Sequence, residues 1–407
     1  MPLNRTSPHI TDTLSVQILQ EVDKQCDCAC LEPGLLIPPP AYPIFCYVEL
    51  TSACNNHCPG CGNVFADDRT SPPLSPAEWQ VILTKLHPYI YRLKLTGGEP
   101  TMHPEFEAII GIIQKLDIPF ALFTNARWHT PARLVALLRD TPLCKGLLVS
   151  LHGATATSHD AFTSVPGSFY ETHANIRQAI AAGLSVTTST VITKHNWQEI
   201  GAIVALSQEL GAHHAVFNRY LGPPLPEIGP SQEQLRHAIQ TVEHISQGRT
   251  NGQQSKVKFG NCIPQCFYPS SSTGCLAGIA YCTIDPWGNV RPCNHAPLIC
   301  GNLLEQSLEE IWNSEAMEHW RGLIPSQCKH CLELPKCHGG CQALAMLLGM
   351  DKDPLIGRPV LTKPQELPGK SALEGTQPLG RFSHKTKVVM GILDEQHYAR
   401  SLDALGG

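Results

Sequence analysis

Cys54, Cys58 and Cys61 lie in the stretch TSACNNHCPGCGNVF with the spacing C-x3-C-x2-C. Thiolates clustered so tightly in a chain without an export signal read as metal ligands rather than disulfide partners. Three is one fewer than the four protein ligands that close a structural zinc site or an ordinary iron–sulfur cluster. A four-iron cluster on three thiolates leaves one iron open to an external chelating molecule, as a catalytic zinc keeps one open position. Half of a zinc site completed elsewhere, or three core thiols, are the plainer alternatives. One strand further on comes TGGEPT, residues 96–101, where Gly97 and Gly98 allow close approach of backbone to a ligand.

These residues need elements to position them. From Cys46 to about Pro226, six strand candidates (FCYVEL, RLKLT, FALFT, GLLVSL, LSVTTSTVI, HAVFN) alternate with helical patterns such as SPAEWQVILTKL, PEFEAIIGIIQKL and SFYETHANIRQAIAAG. Ser75, Pro76 and Glu78 form an N-cap, an N1 proline and a capping-box acid; Thr130 and Pro131 repeat the first two. Gly183 and Gly211 stand where C-terminal caps belong. Alternation of this kind predicts a parallel sheet with crossover helices, whose ligand site lies at the C-terminal ends of the strands. The cysteine triplet follows the first strand, TGGEPT the second, TNARW the third, SLHGAT the fourth and NRYLGPP the sixth. The polar punctuation thus gathers on one rim.

The triplet directly after a strand and ahead of a glycine-rich turn resembles the radical S-adenosylmethionine (SAM) enzymes. The resemblance implies a partial (β/α)6 TIM-like barrel and a 4Fe–4S cluster on Cys54, Cys58 and Cys61, whose open iron is chelated by the amino and carboxylate groups of SAM. Reductive cleavage of the sulfonium then gives a 5′-deoxyadenosyl radical that abstracts hydrogen from substrate. By the same resemblance Gly97, Gly98 and Glu99 bind the amino group of the cofactor, Glu99 pairing with the ammonium, and Ser150 contacts the ribose. Asn125 and Arg219 are further cofactor candidates. One departure is that Gly60 and Gly62 flank the last cysteine, where many members carry an aromatic. His57, His87, His103 and His152 receive no assignment, since no H-E-x-x-H pair is present.

The chain of 407 residues contains 18 cysteines. Between Cys61 and Cys262 there is only Cys144, whereas ten fall from Cys262 to Cys341. The C-terminal group, Cys275, Cys282, Cys293, Cys328, Cys331, Cys337 and Cys341, would by spacing alone suit a zinc ribbon. After the radical motif it resembles the SPASM extension, which holds one or two auxiliary 4Fe–4S clusters. That resemblance places Cys275, Cys282, Cys293 and Cys341 on the first cluster, and Cys328, Cys331 and Cys337 on the second. The family's last cysteine is missing, so Asp351, Asp353 or a surplus cysteine is left for the fourth position, or an open iron, or no second cluster. Cys26, Cys28, Cys30, Cys46, Cys144, Cys262, Cys266 and Cys300 stay unassigned. The expected organisation is an N-terminal extension and Pro-rich linker (1–45), the barrel (46–250), the SPASM-like domain (251–350) and a tail (351–407).

A net charge of −5 gives no sign of a nucleic-acid or anionic-membrane partner, and no apolar run is long enough to span a bilayer. A cytoplasmic protein is expected. Enzymes with this extension mostly modify peptides, so the resemblance implies a precursor peptide as substrate and a flavodoxin- or ferredoxin-type electron donor. Only 45 residues precede Cys46, so leader recognition is expected from a separate small protein. ACNNHCPGCGNVF looks most like maturases that excise tyramine from the backbone, leaving an α-keto-β-amino acid. Thioether or carbon–carbon crosslinking, epimerisation, sulfatase-type cysteine oxidation and tetrapyrrole side-chain chemistry are the enzymatic alternatives. An iron–sulfur electron-transfer protein is the non-enzymatic one.

Overall fold

Six short, largely buried runs become parallel strands in sequence order: β1 (Phe45–Glu49), β2 (Arg92–Thr96), β3 (Phe120–Thr124), β4 (Cys144–Ser150), β5 (Val186–Ile192) and β6 (His214–Arg219). Each pairs with the next, as successive strands joined by crossover helices do. The computed structural model describes residues 40–250, 253–254, 257–271 and 274–358. Residues 13–22 (TLSVQILQEV), whose pattern predicts a short helix, the thiols Cys26, Cys28 and Cys30, and the tail run KTKVVMGILDEQHYARSL, which alone in the tail carries a fold signal, lie outside the described residues.

The crossovers are α1 (Pro76–Leu86), α2 (Phe106–Lys115), α3 (Pro131–Arg139), α4 (Ala156–Thr163), α5 (Ser168–Ala181), α6 (Ile200–Leu210) and, after β6, α7 (Gln232–Gln247). Ser75 and Glu78 close the expected capping box on α1. Gly183 (φ +87°) and Gly211 (φ +88°) take the left-handed conformation that ends α5 and α6. Two expectations change. Thr130 precedes α3 but makes no side-chain cap. The β4–β5 crossover carries an extra helix, α4, started by a Thr155–Ser158 capping box too polar to show an apolar period.

The cysteine-rich region does not form a separate layer. Its β8 (Tyr281–Ile284) pairs in parallel with the outer edge of β1, and β9 (Asn289–Arg291) and β10 (Gly301–Asn302) continue antiparallel. At the other edge β7 (Val257–Phe259) extends β6. The result is one ten-stranded sheet ordered β10-β9-β8-β1-β2-β3-β4-β5-β6-β7. Pairing on both sides leaves no bare edge on the strand that leads into the cysteine triplet.

Side chains alternate across the sheet. Cys46, Val48 and Leu50 face the helices, packed with Trp79, Ile82 and Ile109. On the concave side Lys94 is buried among Phe45, Tyr47 and Phe123, with Nζ 4.4 Å from the Phe45 ring centre. Beyond the sheet run α8 (Leu308–Trp312), α9 (Glu315–Arg321), α10 (Leu334–Cys337) and α11 (Gln342–Leu347). Among the described residues no helix is long and apolar enough to cross a membrane.

Candidate iron–sulfur and cofactor site

The loop carrying Cys54, Cys58 and Cys61 leaves the C-terminal end of β1 and is held by its backbone from three sides. Leu50 N–H donates to Thr96 O at 2.9 Å, His57 N–H to Thr163 O at 2.9 Å, and Arg127 Nη1 to Asn55 O at 2.6 Å. Donors also face the sulfurs: Asn56 N–H reaches Cys54 Sγ at 3.4 Å, Asn125 Nδ2 reaches it at 3.8 Å, and Arg69 Nη2 reaches Cys61 Sγ at 3.4 Å. Burial pushes the Cys54 thiol up to about 11 and the Cys58 thiol higher still. Half-buried thiols ringed by N–H donors and a guanidinium suit thiolates that a metal cluster has deprotonated.

The glycine turn docks directly onto this loop. Gly98 N–H donates to Thr51 O at 2.7 Å and Glu99 N–H to Ala53 O at 2.7 Å. A Cβ on Gly98 would lie 2.2 Å from Ala53 O, and one on Gly97 (φ +144°) would lie 2.5 Å from Thr51 O. Asn63, beyond the last cysteine, donates to Gly97 O at 2.7 Å. Glu99 is fully buried, and burial raises its carboxyl. Its carboxylate accepts from Thr101 Oγ1 (2.7 Å), Thr124 Oγ1 (2.8 Å) and Asn125 N–H (2.7 Å), so it clamps the glycine turn to the end of β3. Asn125 Nδ2 donates to Asn55 Oδ1 at 2.7 Å, placing it beside the cysteine loop. Ser150 ends β4, half-buried, opposite Ser189 of β5. His103 is tied to Leu74 O and Glu105 N–H, and His152 to Val191 N–H; both are framework residues.

The glycines flanking Cys61 also have a reason. A Cβ on Gly60 would lie 2.8 Å from the Tyr220 ring, and one on Gly62 would lie 2.7 Å from His295 Nδ1. Tyr220, from the end of β6, fills the space beside Gly60, and His295 Nδ1 is 2.8 Å from Gly62 O. The two glycines therefore admit side chains from distant segments.

The C-terminal cysteines sort into two groups, differently from the sets that the resemblance implies. Cys282 is the first correction. It stands opposite Cys46 on β8, with the two sulfurs 3.6 Å apart, fully buried on the helix-facing side of the sheet. The strand register turns it away from Cys275, Cys293 and Cys341. Its place in that group is taken by Cys262, whose thiol hydrogen-bonds with those of Cys275 and Cys341. Cys262, Cys293 and Cys341 lie in one cluster of buried residues, and the partly buried Cys275 packs against it.

Arg219 is the second correction. Its guanidinium makes two hydrogen bonds to Asp353, at 3.1 and 2.6 Å, both groups fully buried, and its charge acts on Cys262 and Cys341. It therefore stands beside this four-cysteine group rather than reaching the cofactor turn. Asp353 also accepts from Cys341 N–H at 2.7 Å and Leu355 N–H at 3.0 Å. With its oxygens so committed, Asp353 drops out as a ligand of the other cluster. Asp351 is exposed and does not line the cavity that Cys328, Cys331 and Cys337 share.

The other group, Cys328, Cys331 and Cys337, lines a cavity together with Cys266. Among the described residues no three His, Cys, Asp or Glu side chains are placed to enclose a single metal ion. In a four-iron cluster each thiolate binds a different iron, so the sulfurs do not converge on one point. Neither Cys262 nor Cys266 belongs to the ligand sets that the resemblance implies. The signal available was that Cys262-x3-Cys266 repeats the interval of Cys337-x3-Cys341.

Two family models match the chain: the radical SAM superfamily over residues 48–206 and an iron–sulfur cluster-binding domain, SPASM, over residues 275–337. An AdoMet-dependent heme synthase of Methanosarcina barkeri is 28% identical over 330 residues, covering 73% of this chain and 90% of the relative. A PqqA peptide cyclase of Methylobacterium sp. (strain 4-46) is 28% identical over 352 residues, covering 82% and 91%. The crystal structure of Streptococcus suis SuiB bound to precursor peptide SuiA shares the fold with a TM-score of 0.65 at 18% identity, over 78% of this chain and 76% of that one. Open-ended cysteine loop, glycine turn and cysteine-rich extension thus have one explanation: the chain is a radical SAM enzyme with a SPASM-type extension, whose cofactors are a 4Fe–4S cluster, SAM and auxiliary iron–sulfur clusters.

Proposed function

We propose that this enzyme matures a ribosomally made precursor peptide, and that its reaction excises tyramine from the peptide backbone to leave an α-keto-β-amino acid. The observation that supports radical chemistry most directly is the backbone union of Gly97 and Gly98 with residues 51–53, which makes the three-cysteine loop and the glycine turn one rigid unit. Similarity to PqqA peptide cyclases supports the peptide substrate. Tyramine excision rests on the resemblance of ACNNHCPGCGNVF to such maturases.

In this reading Cys54, Cys58 and Cys61 hold the SAM-binding cluster. When bound, the cluster and SAM supply a 5′-deoxyadenosyl radical, with the electron coming from a flavodoxin- or ferredoxin-type donor. Asn56 N–H, the Asn125 amide and the Arg69 guanidinium stabilise negative charge on the sulfurs. Glu99 holds the glycine turn in place for the amino group of SAM, and Ser150 and Asn125 border the same rim. Cys262, Cys275, Cys293 and Cys341 hold the first auxiliary cluster, with Arg219 as a buried counter-charge. A separate small protein presents the leader of the precursor in the cytoplasm, and neither nucleic acid nor membrane takes part.

The test is anaerobic incubation of reconstituted enzyme with precursor peptide, reductant and SAM, followed by mass spectrometry. Loss of the tyramine mass is expected. Loss of two hydrogens would instead assign crosslinking, and solvent deuterium uptake without a mass change in ordinary water would assign epimerisation. A Cys54→Ala, Cys58→Ala, Cys61→Ala variant should form no 5′-deoxyadenosine; a pure electron-transfer protein would form none in either case. Similarity to the heme synthase favours one second reading, tetrapyrrole side-chain chemistry. Conversion of an iron tetrapyrrole with the peptide left untouched would select it.

A further inference from the structure

The second cysteine group has no cysteine after Cys341, where the resemblance places its fourth ligand. The structure supplies one from outside the SPASM match. Cys266 lines the same cavity as Cys328, Cys331 and Cys337, and packs with Cys328 and Cys331 against Leu334 and Ile356. Each of the other three thiols is close enough for its charge to act on Cys328.

Cys266 is also held in place. Ile263 and Phe267 are buried against α6 and α7, and Arg236 stacks 3.9 Å from the centre of the Phe267 ring. Phe267 N–H and Tyr268 N–H both donate to Pro264 O, closing a turn around residue 266. Gly357 N–H donates to Cys266 Sγ at 3.3 Å, and Gly357 O accepts from Gln327 beside Cys328. Backbone N–H groups of Gln265, Gly340 and Gly339 are directed at Cys337. Amide donors aimed at sulfur suit thiolates on a cluster rather than free thiols.

Four residues before Cys266, Cys262 belongs to the other group, and four residues after Cys337, so does Cys341. Two C-x3-C segments are thereby each divided between the two groups, an arrangement also found in two-cluster ferredoxins, where one cysteine of a run serves the other cluster.

Resting on the radical SAM reading with two auxiliary clusters, we propose that Cys266 is the fourth ligand of the second auxiliary cluster. That cluster is then fully cysteine-ligated and has no open iron for substrate. Its separation from the first cluster is set by the two C-x3-C segments.

The experiment uses the full chain carrying Cys54→Ala, Cys58→Ala and Cys61→Ala, reconstituted anaerobically so that only the auxiliary clusters load. About eight iron atoms per chain are expected from two four-iron clusters. Adding Cys266→Ala should lower this to about four, or convert one cluster to a three-iron form with its own paramagnetic resonance signal on oxidation. Cys266→Ser should retain iron with a shifted signal of the reduced cluster, which decides the matter should the alanine variant fail to fold. Asp351→Ala should leave iron and spectra as in the parent. Unchanged iron and spectra in both Cys266 variants, or loss of a cluster in Asp351→Ala, overturns the assignment. A parent with no auxiliary iron at all would overturn the two-cluster reading itself, a distinct result.

Discussion

Arg219 and Asp353 form a two-pronged ion pair, with Nη2 to Oδ2 at 2.6 Å and Nη1 to Oδ1 at 3.1 Å, both side chains removed from solvent. The pair joins the end of β6 to the segment after α11 and, through Asp353 and Cys341 N–H, to the first auxiliary cysteine group. Removing one member leaves the other charged and buried without its partner. Arg219→Ala is expected to destabilise the fold by about 3–5 kcal/mol in urea denaturation. Folded Arg219→Ala protein should bind SAM within about twofold of the parent, since about 0.4 kcal/mol is all that factor represents. A large loss of SAM affinity without a loss of stability would return Arg219 to the cofactor site.

Gly98→Ala places a methyl group against Ala53 O and Ser52 O, 2.2 and 2.4 Å away, where backbone has to move. Forcing such a shift costs about 1–3 kcal/mol. 5′-Deoxyadenosine formation should fall at least about tenfold, equivalent to about 1.4 kcal/mol on the barrier. Gly111→Ala, on a helix with open space around it, serves as control and should leave the rate unchanged.

Cys282 separates the cluster assignment implied by the family resemblance from the one read from the fold. Cys282→Ala should lose about 1–3 kcal/mol of stability from the barrel core while keeping the full iron content. Cys262→Ala should lose the iron of one cluster, as should Cys275→Ala. Iron lost in Cys282→Ala and kept in Cys262→Ala, by iron and sulfide analysis, would restore the set that the resemblance implies; Cys275 belongs to both sets.

The His152 and His159 imidazoles answer to pH. Burial holds His152 down to about 3 and His159 down to about 4, and each Nδ1 accepts a backbone N–H. In the unfolded chain both would bind a proton near pH 6.5. The unfolded state therefore takes up protons that the native state refuses as pH falls from about 6.5 towards 4, and stability drops across that window. Each group contributes a slope of up to about 1.4 kcal/mol per pH unit. His159→Asn should make the profile shallower by one such slope between pH 6 and 4.5, with no difference above pH 7.5. Equal slopes in parent and variant would mean that His159 is protonated in the folded protein.

Much of this was legible in the one-dimensional pattern because it depends on near neighbours. Strand propensity and helix caps are local, so all six barrel strands fall where alternation places them. The short interval from Cys54 to Cys61 forces one shared site whatever the rest of the chain does. The same holds for Gly97 and Gly98, whose lack of a side chain implies a close approach before the approaching atoms are known.

What tertiary structure decided is which distant residues meet. Cys282 sits at an interval that suits a ligand, but the register of β8 on β1 turns it towards Cys46, and in a strand one residue either way changes the face. Arg219 ends β6 at the rim, yet a buried charge goes to its nearest counter-charge, and Asp353 is 134 residues away in the chain. Cys262 and Cys266 join the C-terminal cysteines only because β7 returns the chain to the far edge of the sheet. Ligand sets assembled from separate segments leave no fixed spacing to read, so folding alone determines their membership.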